Sequence, residues 1–433
     1  MRVFFSNLGC KLNQAETERL ARDFVAAGHR LAGSLDQADL HVVNSCTVTR
    51  AAARDSRKAA GRGGRCGRRV RTVLTGCDAG ESSTAAESFR AKDVDLVVPN
   101  RHKDRLLALV HQAFPETLPA PPPADSALPY MPLPFGNTRA LVKVEDGCDM
   151  RCAFCIVPST RGRQRSRPLD DVLGEVRALA AAGYRELVVT GVQISAYRSG
   201  SLRLHELVGA VLAALPPAGS PGEARLRLTS IAPWDLDPRL LAAWSDRRLC
   251  RHLHLSLQSG STATLRRMRR PYTAERYARL VENVRAAIPG VAVTTDVIVG
   301  FPGETAGEFA ESLGTVEALG FARVHVFPFS ARPGTEAAGL PHPVEPELRR
   351  ERMRRMLAVA RDSERTFWRA HLGKRATVLW ERPKNGRGHG LTDNYIRVWS
   401  PAGAALWNRF AAADLVSLSD EGVHGELVSG PAN

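Results

Sequence analysis

Over the first hundred or so residues, short apolar runs alternate with amphipathic segments. "RVFFSNLGC", "ADLHVVNSC", "RTVLTGC" and "DVDLVVPN" have strand character. "NQAETERLARDFVAAGH", an Arg/Ala segment and "RHKDRLLALVHQAF" have helix character. Such alternation predicts crossover helices on a parallel sheet, an α/β domain. "PETLPAPPPADSALPYMPLP" is too rich in proline for a helix or a central strand and predicts an extended linker. From Ala140 the alternation resumes, with "ALVKVED", "RELVVTG", "RLRLTSI", "HLHLSLQ", "VAVTTDVIVG" and "RVHVFPFS" as six strands separated by helix-length segments. Six units fit an open, partial (β/α)6 barrel with its chemistry at the C-terminal ends of the strands. A doubly wound sheet is the competing arrangement. From about Thr377 the pattern changes to "RATVLWE", "NYIRVW" and "GELVSG" with Gly-rich turns, a small all-β module that predicts a barrel. The expected divisions are therefore 1–115, a linker at 116–136, 137–368 and 369–433.

A 433-residue chain with 44% hydrophobic residues can fill more than one core. No uninterrupted apolar run approaches the ~18 residues of a membrane span, and no leader pattern opens the chain, so a cytoplasmic protein without membrane association is expected. In that reducing setting eight cysteines point to metal or redox chemistry rather than to disulfides. Sixty Lys and Arg against forty-five Asp and Glu give a net charge of +15, which suits a polyanion such as RNA. An Arg- and Ala-rich composition gives the same charge without such a partner, so the charge acquires meaning only beside a binding module.

The cysteines fall into two sets. Cys148, Cys152 and Cys155 lie in "GCDMRCAFCIVP", directly after the first strand of the middle domain. Thiolates at this density suit zinc or an iron–sulfur cluster. No Cys or His nearby offers zinc a fourth ligand, whereas a four-iron cluster on three thiolates keeps one iron open to an outside ligand. Cys10, Cys46 and Cys77 each end a predicted parallel strand, and in a parallel sheet those ends share one edge, so three thiols distant in sequence can converge. Cys66, in a basic Gly-rich loop, and Cys250, before a strand, fit neither set.

The C-x3-C-x2-C spacing resembles the signature of radical S-adenosylmethionine (SAM) enzymes. "LGCKLNQAETE", "VVNSCTVT", "GCDMRCAFCIVPSTRGRQRSRP", "HLHLSLQSGSTATLRRMRRPYT", "TTDVIVGFPGET" and "VFPFSARPGT" together resemble the motifs, in order, of the radical SAM methylthiotransferase family. The resemblance implies an N-terminal parallel α/β methylthiotransferase domain, a partial radical SAM barrel and a C-terminal TRAM barrel. It implies two [4Fe–4S] clusters, on Cys10, Cys46 and Cys77 and on Cys148, Cys152 and Cys155, with SAM supplying both radical and methyl group in converting C–H to C–S–CH3. Thr190, Gly191 and Gln193 at the second strand exit, Ser256 and Gln258 at the fourth, Asp296 in the fifth and main-chain atoms near Phe327 in the sixth are then candidates for contacts to SAM or substrate. For each polar residue the alternative is a helix cap or turn.

"GFPGE" lacks the Gly-Lys-Ser/Thr ending of a phosphate loop, which argues against nucleotide hydrolysis. "STRGRQRSRP" makes Arg161, Arg163 and Arg165 candidate phosphate contacts near the active site. In the TRAM-like module Lys374, Arg375 and Arg397 would meet RNA phosphates, and Tyr395 and Trp399 bases. For Trp380 and Trp399 an inward-facing barrel wall is the equal alternative. "GCKLNQAETE" resembles the branch that acts on tRNA N6-threonylcarbamoyladenosine at position 37. The branches acting on isopentenyl-adenosine 37 and on a ribosomal protein are the alternatives. An electron donor such as a flavodoxin or a ferredoxin, and a sulfur source, are further implied partners.

Asp78 and Gly80 after Cys77, Gln193 and Phe329 depart from the family pattern. Two other classes are weighed against the enzyme. An electron carrier would prefer closed four-thiolate sites. An iron–sulfur RNA-binding protein accounts for charge and β-module but not for the SAM-domain motifs.

Overall fold

The computed structural model describes residues 1–65, 70–80, 94–117 and 138–428. Cys66 and nearly all of the expected proline-rich linker lie outside them. The chain forms two compact units, one of Met1–Phe135, Asp146–Arg165 and Ser330–Thr335, the other of Gly136–Glu145, Ser166–Phe329 and Glu336–Asn433.

In the first unit β1 (Arg2–Asn7), α1 (Lys11–Ala26), β2 (Arg30–Leu31), β3 (Leu40–Ser45), α2 (Arg50–Ala60), β4 (Arg71–Gly76), β5 (Leu96–Val97) and α3 (Leu106–Ala113) alternate as the apolar pattern predicts. The sheet order is β2-β1-β3-β4-β5, with every pair parallel. Val3, Phe5, Val42 and Val73 pack with Leu20, Phe24, Leu106 and Val110 on one face. Val43 and Leu74 pack with Ala59 and Ala60 on the other. Two buried faces explain why every residue of β3 is buried instead of alternate ones. The order reverses between β1 and β3, and in open α/β sheets the crevice at such a reversal is where ligands bind.

In the second unit β6 (Arg139–Lys143), α4 (Leu169–Ala181), β7 (Glu186–Thr190), α5 (Leu204–Ala214), β8 (Arg225–Leu228), β9 (Ser230–Ile231), β10 (His252–Leu255), α6 (Ala274–Ala287), β11 (Ala292–Val299), α7 (Ala306–Leu319) and β12 (Arg323–Pro328) realise the six expected strands, the third broken at Thr229 into β8 and β9. The sheets run β8-β7-β6 and β9-β10-β11-β12, all parallel. Neighbours follow chain order without reversal, as in a partial barrel and unlike a doubly wound sheet. Tyr277 of α6 donates to Leu255 O at 2.7 Å and lies near Thr295, so odd-numbered β11 residues face the helices and Thr294 and Asp296 face the barrel interior.

After α8 (Pro346–Arg369), strands β13 (Arg375–Trp380), β14 (Gly388–Thr392), β15 (Arg397–Ser400), β16 (Phe410–Ser419) and β17 (Gly422–Leu427) close a barrel in the order β13-β14-β15-β17-β16. Trp380 (0% exposed) joins Trp368, Ile396, Val398 and Val423 in its core, and Trp399 is buried as well. For Trp380 the inward alternative holds; Trp399, next to core-facing Val398, turns to the outer face, and a base-stacking role for it is withdrawn because its ring is covered by His389, centroids 5.0 Å apart, and by Arg387.

This small barrel is fastened to the N-terminal ends of the partial barrel's strands. Glu186, first residue of β7 and fully buried, accepts from Arg227 Nε at 2.7 Å and Arg225 Nε at 2.6 Å. The two guanidiniums then donate to the carbonyls of Leu391 (2.8 Å), Thr392 (3.1 Å) and Asp393 (2.9 Å). Tyr395 stacks on His252 with ring centroids 4.5 Å apart and lies under Arg227, so its ring is committed within the protein rather than to a base.

Candidate active site

In the first unit, each of the three N-terminal cysteines follows the C-terminal end of a parallel strand, at or beside the reversal of strand order. Cys10 is exposed and occupies the N-cap of α1, the helix end that favours negative charge. Cys46, just past β3, and Cys77, just past β4, are buried. Gly9 (φ +98°) permits this approach, because a Cβ there would stand 2.5 Å from Cys46 Cβ and Sγ. Cys46 N–H donates to Ser56 Oγ at 2.9 Å, and Cys77 N–H donates to Ser45 O at 3.0 Å, fixing both loops. Burial pushes the Cys46 thiol up to about 11, with Cys77 and Cys10 adding to the rise and Arg161 opposing it. Burial raises the Cys77 thiol too, against the charges of Arg161 and Lys103.

Cys148, Cys152 and Cys155 belong to the same unit and are partly exposed. The Cys155 N–H closes a turn on Cys152 O at 3.0 Å, Cys148 N–H donates to Gly162 O at 3.1 Å, and Met150 N–H points to Cys148 Sγ at 3.4 Å.

Among the described residues no three His, Cys, Asp or Glu side chains converge tightly enough to ligate one metal ion. Thiolates that each bind a different iron of one cluster stand wider apart than the ligands of a single ion. Both sets therefore fit iron–sulfur clusters better than structural zinc.

Arg161 stands elsewhere than expected. Its side chain is 2% exposed. Nη1 donates to Glu16 Oε1 and Asp146 Oδ1, both at 2.9 Å, and Nη2 donates to Glu16 Oε2 and to Asn13 Oδ1. The phosphate contact expected of it is withdrawn, because the guanidinium is sealed from solvent and already holds two carboxylates. Arg163 and Arg165 are exposed. Of the other basic candidates, Lys374 is exposed, Arg375 is exposed and donates to Asp414 at 2.9 Å, and Arg397 is half-buried.

In the second unit Thr190, Gly191 and Gln193 follow one another at the exit of β7. Glu145, which sequence reasoning missed, joins them: its Oε2 accepts from Gln193 N at 2.8 Å and lies 2.7 Å from where a Gly191 Cβ would be. Its only sequence signal is an acidic pair just before the cysteine motif. Ser256 and Gln258 follow β10. Gln258 has φ +68°, unusual for a side-chain-bearing residue and found where structure around a site enforces it. Its N–H donates to Asp296 O at 2.8 Å. Asp296 Oδ2 accepts from Ser256 Oγ and lies against His254 Nε2, each at 3.1 Å. Burial raises this carboxyl, but hydrogen bonding and charge from His254, with His325 adding, hold it below its ordinary value. His254 and His325, whose rings lie 6.0 Å apart, were also missed; the cue is that they sit at the inward parity set by Asp296. Phe327 is 44% exposed on β12, an edge strand whose outer main chain pairs with no other strand among the described residues.

Of the residues that depart from the family pattern, Asp78 lies 3.7 Å from Arg57, and Phe329 meets Phe301 edge-on at 5.3 Å. Cys250 is buried and its thiol is pushed up to about 12 by burial, an inert packing residue.

Residues 142–316 match the Radical SAM superfamily, and residues 2–99 match the family described as Uncharacterized protein family UPF0004. Fold and cysteine sites together define a radical SAM enzyme, which uses SAM and [4Fe–4S] clusters. The threonylcarbamoyladenosine tRNA methylthiotransferase MtaB of Bacillus subtilis (strain 168) is 33% identical over 409 residues, 92% of this chain and 89% of that protein. The tRNA-2-methylthio-N(6)-dimethylallyladenosine synthase of Sorangium cellulosum is 36% identical over 439 residues, 94% and 85% of the two chains. At that identity and coverage the chain belongs to the radical SAM methylthiotransferase family and is a tRNA methylthiotransferase. The solved structure of the radical SAM methyltransferase TsrM from Kitasatospora setae, with cobalamin and a [4Fe–4S] cluster, has a TM-score of 0.56 at 16% identity, covering 78% of this chain and 76% of that one. That likeness is one of fold alone. No helix among the described residues is long and apolar enough to cross a membrane.

Proposed function

We propose that this enzyme converts N6-threonylcarbamoyladenosine at position 37 of tRNA to its 2-methylthio derivative. The observation that carries the substrate is "GCKLNQAETE" at Cys10, which resembles the threonylcarbamoyl branch. Full-length similarity to the Bacillus subtilis protein agrees with it. Cys148, Cys152 and Cys155 hold one cluster, and Cys10, Cys46 and Cys77 the other. When bound, these clusters and SAM supply the radical that removes hydrogen from the adenine carbon, the sulfur delivered there and the methyl group it carries.

The chain's own residues bind and orient. Thr190, Gly191 and Gln193, with Glu145 fixing their loop, receive SAM. Ser256, Gln258 and Asp296 line the strand exits that face SAM or substrate, and main-chain atoms near Phe327 bracket the adenine. Arg163, Arg165, Lys374, Arg375 and Arg397 meet RNA phosphates. A flavodoxin or ferredoxin and a sulfur source complete the partners.

The second reading, isopentenyl-adenosine 37 as substrate, is favoured by the 36% identity to the Sorangium cellulosum synthase. Nucleoside mass spectrometry of tRNA from a strain lacking the gene decides. Loss of the 2-methylthio group from the threonylcarbamoyl nucleoside alone is expected. Its loss from isopentenyl-adenosine, with the threonylcarbamoyl derivative intact, would refute the assignment.

A further inference from the structure

The six cysteines share one compact unit with a buried charge network that none of the expected roles uses. Arg161, six residues after Cys155, meets Glu16, six residues after Cys10, and Glu16 also receives Lys103 Nζ at 2.5 Å. All three side chains are at most 5% exposed. Asn13 is the joint. Its Oδ1 accepts from Arg161 Nη2, and Cys77 Sγ stands 4.0 Å from that same oxygen. Its Nδ2 donates to Leu8 O at 2.7 Å and Ser45 O at 2.8 Å, the carbonyls two residues before Cys10 and one before Cys46. One guanidinium thus reaches, through one amide, the loops that carry all three N-terminal cysteines. It does so from the short helix Val157–Arg161 that follows the Cys148–Cys155 loop.

We propose that Arg161 is a positioning residue for the N-terminal cysteine set, locking its loops through Asn13, and that its guanidinium and Lys103, balanced by Glu16 and Asp146, set the charge beside the thiolates. The proposal rests on Cys10, Cys46 and Cys77 holding a cluster. A guanidinium suits the task because it stays charged and its planar fork serves Asn13, Glu16 and Asp146 at once. A cluster's reduction potential depends on nearby charge and hydrogen bonding, and reduction adds an electron, so a fixed cation favours the reduced form and a carboxylate opposes it.

The test starts from a full-length chain with Cys148, Cys152 and Cys155 replaced by Ala, reconstituted anaerobically so that only the N-terminal cluster loads. Its midpoint potential is read by redox titration with electron paramagnetic resonance. R161Q is expected to lower the potential, E16Q to raise it, and R161K to restore most of the value that R161Q loses. A merely structural role would instead lower iron content in R161Q and E16Q alike and leave the potential of the loaded fraction unchanged, which would overturn the proposal. If R161Q loads no cluster, the direction of the E16Q shift and the position of R161K decide in the same way. A parent chain that binds no iron would instead refute the cluster assignment itself.

Discussion

Replacing Glu186 with Gln tests the fastening of the C-terminal barrel. The change keeps the volume of the side chain and removes only its charge, leaving Arg225 and Arg227 buried without the carboxylate that accepts from both at 2.6 and 2.7 Å. Glu186 and Arg227 are each 0% exposed, so neither solvent nor salt compensates. Breaking a buried ion pair from one side costs about 3–5 kcal/mol, roughly two to three and a half powers of ten in the unfolding equilibrium. Urea unfolding followed by tryptophan fluorescence is the assay, because Trp368, Trp380, Trp399 and Trp407, four of the six tryptophans, lie in or beside that barrel.

The pH dependence adds a sign. Burial would raise the Glu186 carboxyl, but Arg227 and Arg225 outweigh it and hold it well below the ordinary carboxylate range. A depressed folded-state value contributes stability that is complete above the unfolded value of about 4.3 and is lost as pH falls below it. The gap between wild type and E186Q should therefore be widest near neutrality and shrink as the pH drops below about 4. A variant within about 0.5 kcal/mol of wild type at pH 7, or a gap that does not change with pH, would refute this account.

Gly9→Ala would place a Cβ 2.5 Å from Cys46 Sγ at a φ of +98°. Iron bound after anaerobic reconstitution should fall from about eight to about four per chain, and eight in the variant would show that the loop yields. Trp380→Ala should destabilise the small barrel by about 3–5 kcal/mol, read as a lower urea midpoint for its tryptophan signal. Lys374→Ala should weaken tRNA binding and reduce the salt slope by about one, whereas Arg375→Ala should do less, since Asp414 already neutralises that guanidinium; electrophoretic titrations at several salt concentrations compare them.

Much of the fold was legible because its signal is local. Strands β1, β3 and β4 in the first unit, and the six strand positions of the second, follow from short apolar runs bounded by helix-length segments. The cysteines were legible for the same reason: each N-terminal one ends such a run, and parallel strands bring their C-terminal ends to a common edge. The inward face of β11 was half legible. Alternation says that Thr294 and Asp296 share a side, but only Tyr277 packing on the other side tells which is the interior.

Arg161 and Trp399 mark the limit of that reading. An arginine in a basic, Gly-containing loop looks like a phosphate ligand, and of the two carboxylates that claim it one lies 145 positions away. An outward aromatic residue in a strand looks the same whether its ring is bare or, as with Trp399, covered by a neighbour such as His389. Arg225 and Arg227, for which the strand pattern alone suggests no partner, are the bolts of the C-terminal barrel, with acceptors 166 residues further along. Local pattern was enough for the elements and their parallel winding, which depend on periodicity over a few residues, and the chemistry came with the family resemblance that the cysteine motifs carry. Which charges are buried and paired emerged from the packing alone, because a burial penalty is offset by partners that local pattern does not encode.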